Sequence, residues 1–411
     1  MRILTALFLA LAWASLSAFA DEPPTEWTDP DTGHRVIRLS REPGSQSLYF
    51  HYNSYTAEGD KMVFTTPHGL ATVDLRSRAV EPLVAGRASN VIVGRKTRQA
   101  FYVGDSNAVY AANTDTRRTR LITRLPPDMR VASAFGVSAD EKLLAGSYIK
   151  GGREGPTQAD RTTGPDGGSA RSLQERWQGR QPMALFTIKV DTGTVKTFHE
   201  STDWLNHVQM SPTDPTLIMF CHEGPWHMVD RTWTIRTDGT GLNKIHSRTM
   251  DMEIAGHEFF SADGKTIWYD LQTPRSTVFW LAGYNIETGE RTWYHLERNE
   301  WSVHYNVSPD EKLFAGDGGG PGSVAAPENG QWIYLFRPEK LRMTGLPGQT
   351  AKLIKVGVFK SERLVNLAKH NYSLEPNVTF TPDGKWIVFR SNMHGPTHVY
   401  AVEVEKAGDK N

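Results

Sequence analysis

The sequence contains a single cysteine, Cys221, among 411 residues. One thiol cannot form an internal disulfide, and it cannot build a metal cluster held by several thiolates. A surplus of one charge is also missing, because 46 basic residues balance 46 acidic ones. Without a basic surplus, electrostatics gives no argument for nucleic acid or an anionic membrane surface as a partner.

Long apolar runs are missing too, except at the very start of the chain. Residues 1–20 carry Arg2, then the apolar stretch ILTALFLALAWASLSA and the small-residue sequence AFA before Asp21. This order is typical of a secretory signal peptide, so we expect cleavage and a periplasmic or secreted protein. No later stretch approaches the roughly 18 apolar residues that span a bilayer, so we expect no membrane partner after cleavage.

Glycine (36 residues) and tryptophan (12 residues) are abundant, and one turn motif recurs along the chain. Each copy has an apolar residue, Ser or Thr, a short turn with Asp, Glu or Gly, usually Lys, and then a short apolar strand. The clearest copies are YTAEGDKMVFTT, VSADEKLLAGSY, MSPTDPTLIMFC, FSADGKTIWYDL, VSPDEKLFAGDG and FTPDGKWIVFRS, and a weaker one begins at Ile92. Turn–strand units of this kind, separated by further hairpins, predict an all-β fold, a seven-bladed β-propeller formed as one domain by residues 21–411.

Histidines occupy equivalent places in several repeats. Three of them, and one asparagine, lie four residues before the Ser or Thr of the turn motif: His207, His257, His304 and Asn377. Residues before the first strands of propeller blades gather near the central axis. We therefore expect these side chains, with Glu375 nearby, to share one site at the mouth of the channel.

The stretch FCHEGPWHMVDRTW, residues 220–233, is a second concentration of polar chemistry. Together with GHEFF and FTPDGKWIVF it resembles the oligogalacturonate lyases, polysaccharide lyase family 22. The resemblance runs from TGHRVIRLS to GPTHVYAVEV. It implies a seven-bladed propeller that cleaves oligogalacturonides, or related uronides, by β-elimination in pectin breakdown, with divalent manganese as cofactor.

Catalytic residues follow from the same resemblance. The family's arginine after VD matches Arg231, and its base matches His257. Elimination removes the weakly acidic C5 proton beside a carboxylate, which requires a cation on the carboxylate and a neutral base over C5. We therefore predict Arg231 and His257 as catalytic residues, and His222 and His207 as substrate-binding residues that line the site.

The metal site is predicted from three positions. One family metal ligand falls on His304, whereas Tyr372, Glu375 and Asn377 stand where the family has Gln, His and His. His304, Glu375 and Asn377 remain a plausible set for a hard cation, with His370 as a further ligand. The alternative is that this cluster holds substrate without a metal.

The sequence features suggest two alternative functions. A non-catalytic TolB-like propeller, binding carbohydrate or protein, would use the same turns but would not need the aligned histidines and Arg231. A secreted serine hydrolase would require a G-x-S-x-G elbow, and the sequence has none.

Overall fold

A computed structural model describes residues 22–133, 135–151, 170–341 and 352–406. The predicted signal peptide lies outside these residues. Within them the chain is almost entirely β-strand, apart from helix α1 (Ala170–Gly179) and short 3-10 turns, which confirms the all-β prediction. No helix in the described ranges is long and apolar enough to cross a membrane.

The strands follow one another along the chain as compact antiparallel sheets. The first two strands are β1 (Glu26–Thr28) and β2 (Arg35–Arg38). The next sheet contains β3 (Lys61–Thr66), β4 (Gly69–Asp74) and β5 (Val80–Ala85). It is followed by a sheet of β6 (Ser89–Val93), β7 (Gln99–Val103), β8 (Ala108–Asn113) and β9 (Thr119–Arg124).

The middle of the chain repeats this arrangement twice. One sheet contains β10 (Arg130–Val131), β11 (Gly136–Val137), β12 (Leu143–Ile149), β13 (Met183–Lys189) and β14 (Val195–Ser201), with α1 between β12 and β13. The next contains β15 (Trp204–Met210), β16 (Leu217–Glu223), β17 (Thr232–Arg236) and β18 (Asn243–Lys244).

The largest sheet has eight strands, but it consists of two four-stranded antiparallel halves. The first half is β19 (Ile254–Phe260), β20 (Thr266–Gln272), β21 (Phe279–Asn285) and β22 (Arg291–Leu296). The second is β23 (Tyr305–Val307), β24 (Phe314–Gly316), β25 (Trp332–Lys340) and β26 (Lys355–Asn366). A single parallel pairing of β22 with β26 joins the halves, so each half is one repeat of the same unit.

The last sheet joins the two ends of the described chain. Its final strands are β27 (Thr379–Phe380), β28 (Trp386–Ser391) and β29 (His398–Glu403). The N-terminal strand β2 pairs with β29, and β1 pairs with β2, so the order is β1-β2-β29-β28-β27. This pairing fixes the N-terminal segment to the end of the chain and closes the series of sheets.

The recurring motif forms the same hydrogen-bonded turn in four repeats. In each, the Ser or Thr hydroxyl donates to the Asp two residues later at 2.6–2.8 Å, and it accepts a backbone N–H five residues later at 2.9–3.1 Å. The four hydroxyls belong to Ser138, Ser261, Ser308 and Thr381. Each turn therefore fixes the register of the strand that follows it.

Segments from along the described chain line one common cavity. It has a volume of about 270 Å³ and is lined by at least one residue from each of seven consecutive segments. They include Tyr55, Ile92, Val137, Gln209, Phe259, Val307 and Phe380. The segment at Phe50 and His51 also lines this cavity.

Candidate active site

Three of the four aligned polar residues share an unusual backbone conformation. His207, His257 and Asn377 have positive φ angles of 49°, 48° and 56°. At His207 and His257 the strand pairing is interrupted by a β-bulge, which turns the side chain away from its usual direction. A positive φ angle is costly for residues other than glycine, and such residues concentrate at functional sites. The bulges at His207 and His257 therefore indicate a functional site.

His257 is held by a buried carboxylate. Its Nδ1 lies 3.0 Å from Oδ1 of Asp270, which comes from the neighbouring strand β20 and is fully buried. Burial lowers the pKa of His257, but the charge and hydrogen bond of Asp270 outweigh it, and the net pKa is raised above 6.5. When the neutral ring donates Nδ1–H to Asp270, its Nε2 keeps a free lone pair, as a general base requires.

His304 repeats this arrangement in the next unit. Its Nδ1 lies 2.7 Å from Oδ2 of Asp317, and both side chains are fully buried. Its Nε2 lies 3.2 Å from the Tyr49 hydroxyl. The rings of His304 and His257 meet edge to face with centroids 4.7 Å apart. The structure thus brings two histidine–aspartate pairs together.

His207 joins the same cluster through the Tyr49 ring. The Tyr49 ring lies between the two histidines, 5.6 Å from His207 and 5.1 Å from His304 between ring centroids. His51 packs at 5.4 Å from His207, and neither of its ring nitrogens has a hydrogen-bond partner among the described residues. The expected gathering of His207, His257 and His304 is therefore present.

Arg231 is almost completely buried, with 3 % exposure. Its Nη1 lies 2.7 Å from Oε1 of Glu223, and its Nε lies 3.1 Å from Oε2 of Glu258. Burial raises the pKa of Glu223, but the Arg231 charge and further hydrogen bonds hold it well below its usual value. The guanidinium also lies 5.1 Å from the centre of the Trp226 ring, which in turn contacts His257.

These contacts bear on the role predicted for Arg231. We predict it as a catalytic residue, the cation on the substrate carboxylate. In the structure its Nη1 and Nε already bind two carboxylates of the protein itself. The arginine contacts Glu223, Glu258 and Trp226 next to His257, an arrangement that favours a positioning role, and its catalytic role stays a prediction.

His222 does not reach the cluster. Along β16 the side chains alternate between the two faces of the sheet, so His222 faces away from Cys221 and Glu223. Its ring packs against Trp233 at a centroid distance of 5.0 Å, and its Nδ1 lies 3.8 Å from Asp203. The expectation that His222 lines the site is inconsistent with this orientation, and we do not assign it to the site.

The predicted metal ligands are only partly available. The amide of Asn377 accepts the backbone N–H of Phe50 at 3.1 Å and donates to the carbonyl of Glu375 at 3.0 Å. Both ring nitrogens of His370 are also engaged, with Ser391 and with the carbonyl of Leu374. The Asn377 amide and both nitrogens of His370 are thus engaged in hydrogen bonds within the protein, and their assignment as ligands stays a prediction.

Two donors remain at the predicted metal position. Oε2 of Glu375 lies 3.7 Å from Nε2 of His304, and its side chain is 35 % exposed. In the part of the chain that the structure describes, no third His, Cys, Asp or Glu side chain completes a cluster with these two. Two protein donors are fewer than the three or more that catalytic transition-metal sites usually provide, so the fit is poor.

A different trio, His207, Cys221 and Glu223, has potential ligand atoms within 4.8 Å of one another. Its carboxylate is already bound by Arg231 and by the Asn206 amide at 2.8 Å. Burial raises the pKa of the Cys221 thiol, so the sulfur is protonated and is a poor ligand. A guanidinium beside the carboxylate would also repel a cation, and these contacts account for the trio without a metal.

Several site residues escaped the sequence analysis, although one signal was present. Asp270 follows His257 by thirteen positions, and Asp317 follows His304 by the same number. This shared spacing across one hairpin would have identified both pairs. No comparable local signal points to Tyr49, which reaches His304 from a distant part of the chain.

Comparisons with known proteins identify the family of the chain. The family model described as oligogalacturonate lyase matches residues 24–407. The oligogalacturonide lyase of Pectobacterium atrosepticum is 24 % identical over 408 residues, covering 92 % of this chain and 95 % of the relative. A solved oligogalacturonate lyase in complex with manganese aligns with a TM-score of 0.77 at 22 % identity, covering 93 % and 96 % of the two chains.

A more distant likeness concerns the fold alone. The β-propeller domain of a Myceliophteria thermophila protein aligns with a TM-score of 0.52 at 9 % identity, covering 88 % of this chain and 97 % of that domain. The family match spans nearly all of the described residues and includes the site. The chain belongs to the oligogalacturonate lyase family.

Proposed function

We propose that the protein is a β-propeller lyase that cleaves oligogalacturonides by β-elimination, with His257 as the base. The observation that carries the proposal is the His257–Asp270 pair, 3.0 Å apart, at the centre of a cluster of polar side chains. A TolB-like binding propeller would have no need for a buried carboxylate that orients one imidazole. The non-catalytic alternative is therefore not favoured.

Seven blades are the architecture that best accommodates the sheets. Counting each half of the eight-stranded sheet separately, the repeating units number seven, and all seven contribute to the central cavity. The pairing of β2 with β29 is the closure that a propeller requires. The alignment with a β-propeller domain supports a propeller fold. That residues 21–411 form it as one domain stays a prediction.

The proposed reaction begins with the proton on C5 of the uronide, next to the carboxylate. Nε2 of His257 accepts that proton, while Nδ1 stays hydrogen-bonded to Asp270. The electrons of the C5–H bond form the C4–C5 double bond, and the C4–O bond breaks with its electron pair on oxygen. A proton from solvent then neutralises the leaving oxygen, and His257 returns its proton to water.

Other residues of the cluster hold the substrate and the base. His207 and Tyr49 belong to the same cluster, and we propose that they contribute to binding sugar hydroxyls. Trp226 offers an aromatic face of the kind that packs against a sugar ring. Arg231 fixes Trp226 and Glu258 and so keeps the wall beside His257 rigid.

A divalent cation, when bound, would neutralise the carboxylate of the substrate. Manganese in this chain stays a prediction, because the donors left at the predicted position are His304 and Glu375. No step above depends on it. We also propose export from the cytoplasm to the periplasm or beyond, on the strength of residues 1–20.

Elimination creates an unsaturated uronate that absorbs ultraviolet light, whereas hydrolysis creates no such product. Incubation of purified protein with trigalacturonate, followed by absorbance, tests the proposal directly. We expect a steady rise with wild-type protein. An unchanged spectrum across a panel of uronides would refute the proposed function.

A further inference from the structure

The reaction proposed above needs a positive charge on the substrate carboxylate, because the C5 proton is otherwise too weakly acidic. The structure argues against two sources of that charge, a metal ion at the predicted position and Arg231. The predicted metal position offers two available donors, and Arg231 is paired with two buried carboxylates. The question is which other cation the site contains.

The repeat itself points to one position. Continuing the pairing of β23 with β24 by one residue places His304 opposite Asp317. Continuing the pairing of β27 with β28 by two residues places Asn377 opposite Arg390. Arg390 follows Asn377 by thirteen positions, the spacing that separates each histidine from its aspartate. An arginine thus occupies, in the last unit, the place of the aspartates in the two preceding units.

The contacts of Arg390 confirm that it reaches the cluster. Its Nε donates to the carbonyl of Glu375 at 2.8 Å, and its Nη1 donates to Oε1 of Gln46 at 2.9 Å. The side chain of the same Glu375 approaches His304. A single residue, Glu375, therefore separates the guanidinium from the His304–Asp317 pair.

The partners of Arg390 are neutral. In the described part of the chain it forms no ion pair with a carboxylate, and the acidic group of Glu375 faces His304 instead. Arg231 differs in this respect, because its Nη1 and its Nε each bind a buried carboxylate. Burial lowers the pKa of Arg390, but a guanidinium stays protonated in proteins. Its Nη2 has no hydrogen-bond partner among the described residues and is available to an incoming anion.

We propose that Arg390 is the cation that binds and neutralises the substrate carboxylate, so that elimination proceeds without a divalent metal. The arginine takes over the electrostatic part that a metal ion would otherwise play at this edge of the site. Its planar N–H groups suit a carboxylate, which accepts two parallel hydrogen bonds. This inference rests on the proposed lyase function and specifies how the same site acts.

The test uses the mature full-length protein and trigalacturonate in two arms. In the first, wild-type protein is dialysed against a chelator, its metal content is measured, and its activity is followed by ultraviolet absorbance with and without added manganese. We expect activity to survive within about twofold, with far less than one metal ion per chain. Loss of activity that manganese restores would overturn the inference.

The second arm replaces the guanidinium. Arg390→Met should lower kcat/KM roughly 10²–10³-fold, the usual cost of removing a donor at a developing negative charge. Arg390→Lys should recover part of this loss, and added guanidinium should partly rescue Arg390→Ala. The control is Arg120→Met, since Arg120 is an exposed arginine that also donates to a backbone carbonyl, that of Val190.

The outcomes separate the two proposals. Near-normal kcat/KM for Arg390→Met, in the presence of chelator, would overturn the role of Arg390 while leaving the lyase function intact. Inactivity of wild-type protein on every uronide, with or without manganese, would instead refute the proposed function. If Arg390→Met fails to fold, Arg390→Lys and the chelator arm on wild-type protein still decide the question.

Discussion

His257 and His304 meet edge to face with ring centroids 4.7 Å apart, and each is backed by an aspartate from its own hairpin. The two pairs are copies of one repeat placed side by side. They differ in the groups that face Nε2 of each histidine. His304 contacts Tyr49, whereas Nε2 of His257 has no hydrogen-bond partner in the described residues. This difference favours His257 over His304 as the proposed base.

The pH dependence of kcat/KM should reveal the effect of Asp270 on the pKa of His257. Because the folded protein raises the pKa of His257, its imidazole becomes a neutral base only above the ordinary value of 6.5. The acidic limb of kcat/KM should therefore lie above pH 6.5 in wild-type protein. Asp270→Asn removes the charge that raises the pKa and leaves the burial that lowers it, so the limb should move to lower pH.

The pH profile of both proteins on trigalacturonate measures this shift. We also expect the kcat of Asp270→Asn to fall, since the imidazole loses its orienting acceptor. An acidic limb that does not move would show that another group titrates in the free enzyme.

The buried Arg231 should contribute strongly to the free energy of unfolding. Arg231→Met would leave Glu223 and Glu258 buried without their cation, and breaking such a buried network costs about 3–5 kcal/mol. Urea unfolding followed by tryptophan fluorescence measures the loss. Arg236→Met is the matched control, because Arg236 pairs with Asp214 at the surface and should contribute about 1 kcal/mol or less. Equal effects of the two substitutions would contradict the arrangement around Arg231.

The repeated turns should contribute separately to stability. Ser308 is buried and its hydroxyl forms two hydrogen bonds, to Asp310 and from the backbone of Leu313. Ser308→Ala should therefore lower the free energy of unfolding by about 1–3 kcal/mol. Ser77→Ala, in an exposed turn, should have a smaller effect. A loss below about 0.5 kcal/mol for Ser308→Ala would argue that the turn does not fix its strand.

The sequence predicted those features that depend on one hairpin at a time. The alignment of His207, His257 and Asn377 follows from local spacing, and the structure gives all three the same backbone conformation. The orientation of His222 could also have been predicted from the sequence. Strand alternation from Cys221 and Glu223 would have placed it on the opposite face.

Features that join distant segments could not be predicted in this way. Arg231 meets Glu258 across two sheets, and Tyr49 reaches His304 from 255 positions away. The occupied amide of Asn377 depends on the backbone of Phe50, which no motif in its own repeat encodes. Tertiary contacts of this kind decided which predicted residues are free to act.

The most direct measurement compares wild-type protein with His257→Ala on trigalacturonate by ultraviolet absorbance. The account predicts an unsaturated product from wild-type protein and a kcat that is roughly 10²–10⁴-fold lower in the variant, the usual contribution of a positioned base. His222→Ala, whose ring lies on the opposite face of β16, should stay close to wild type. Near-normal kcat in His257→Ala would contradict the account.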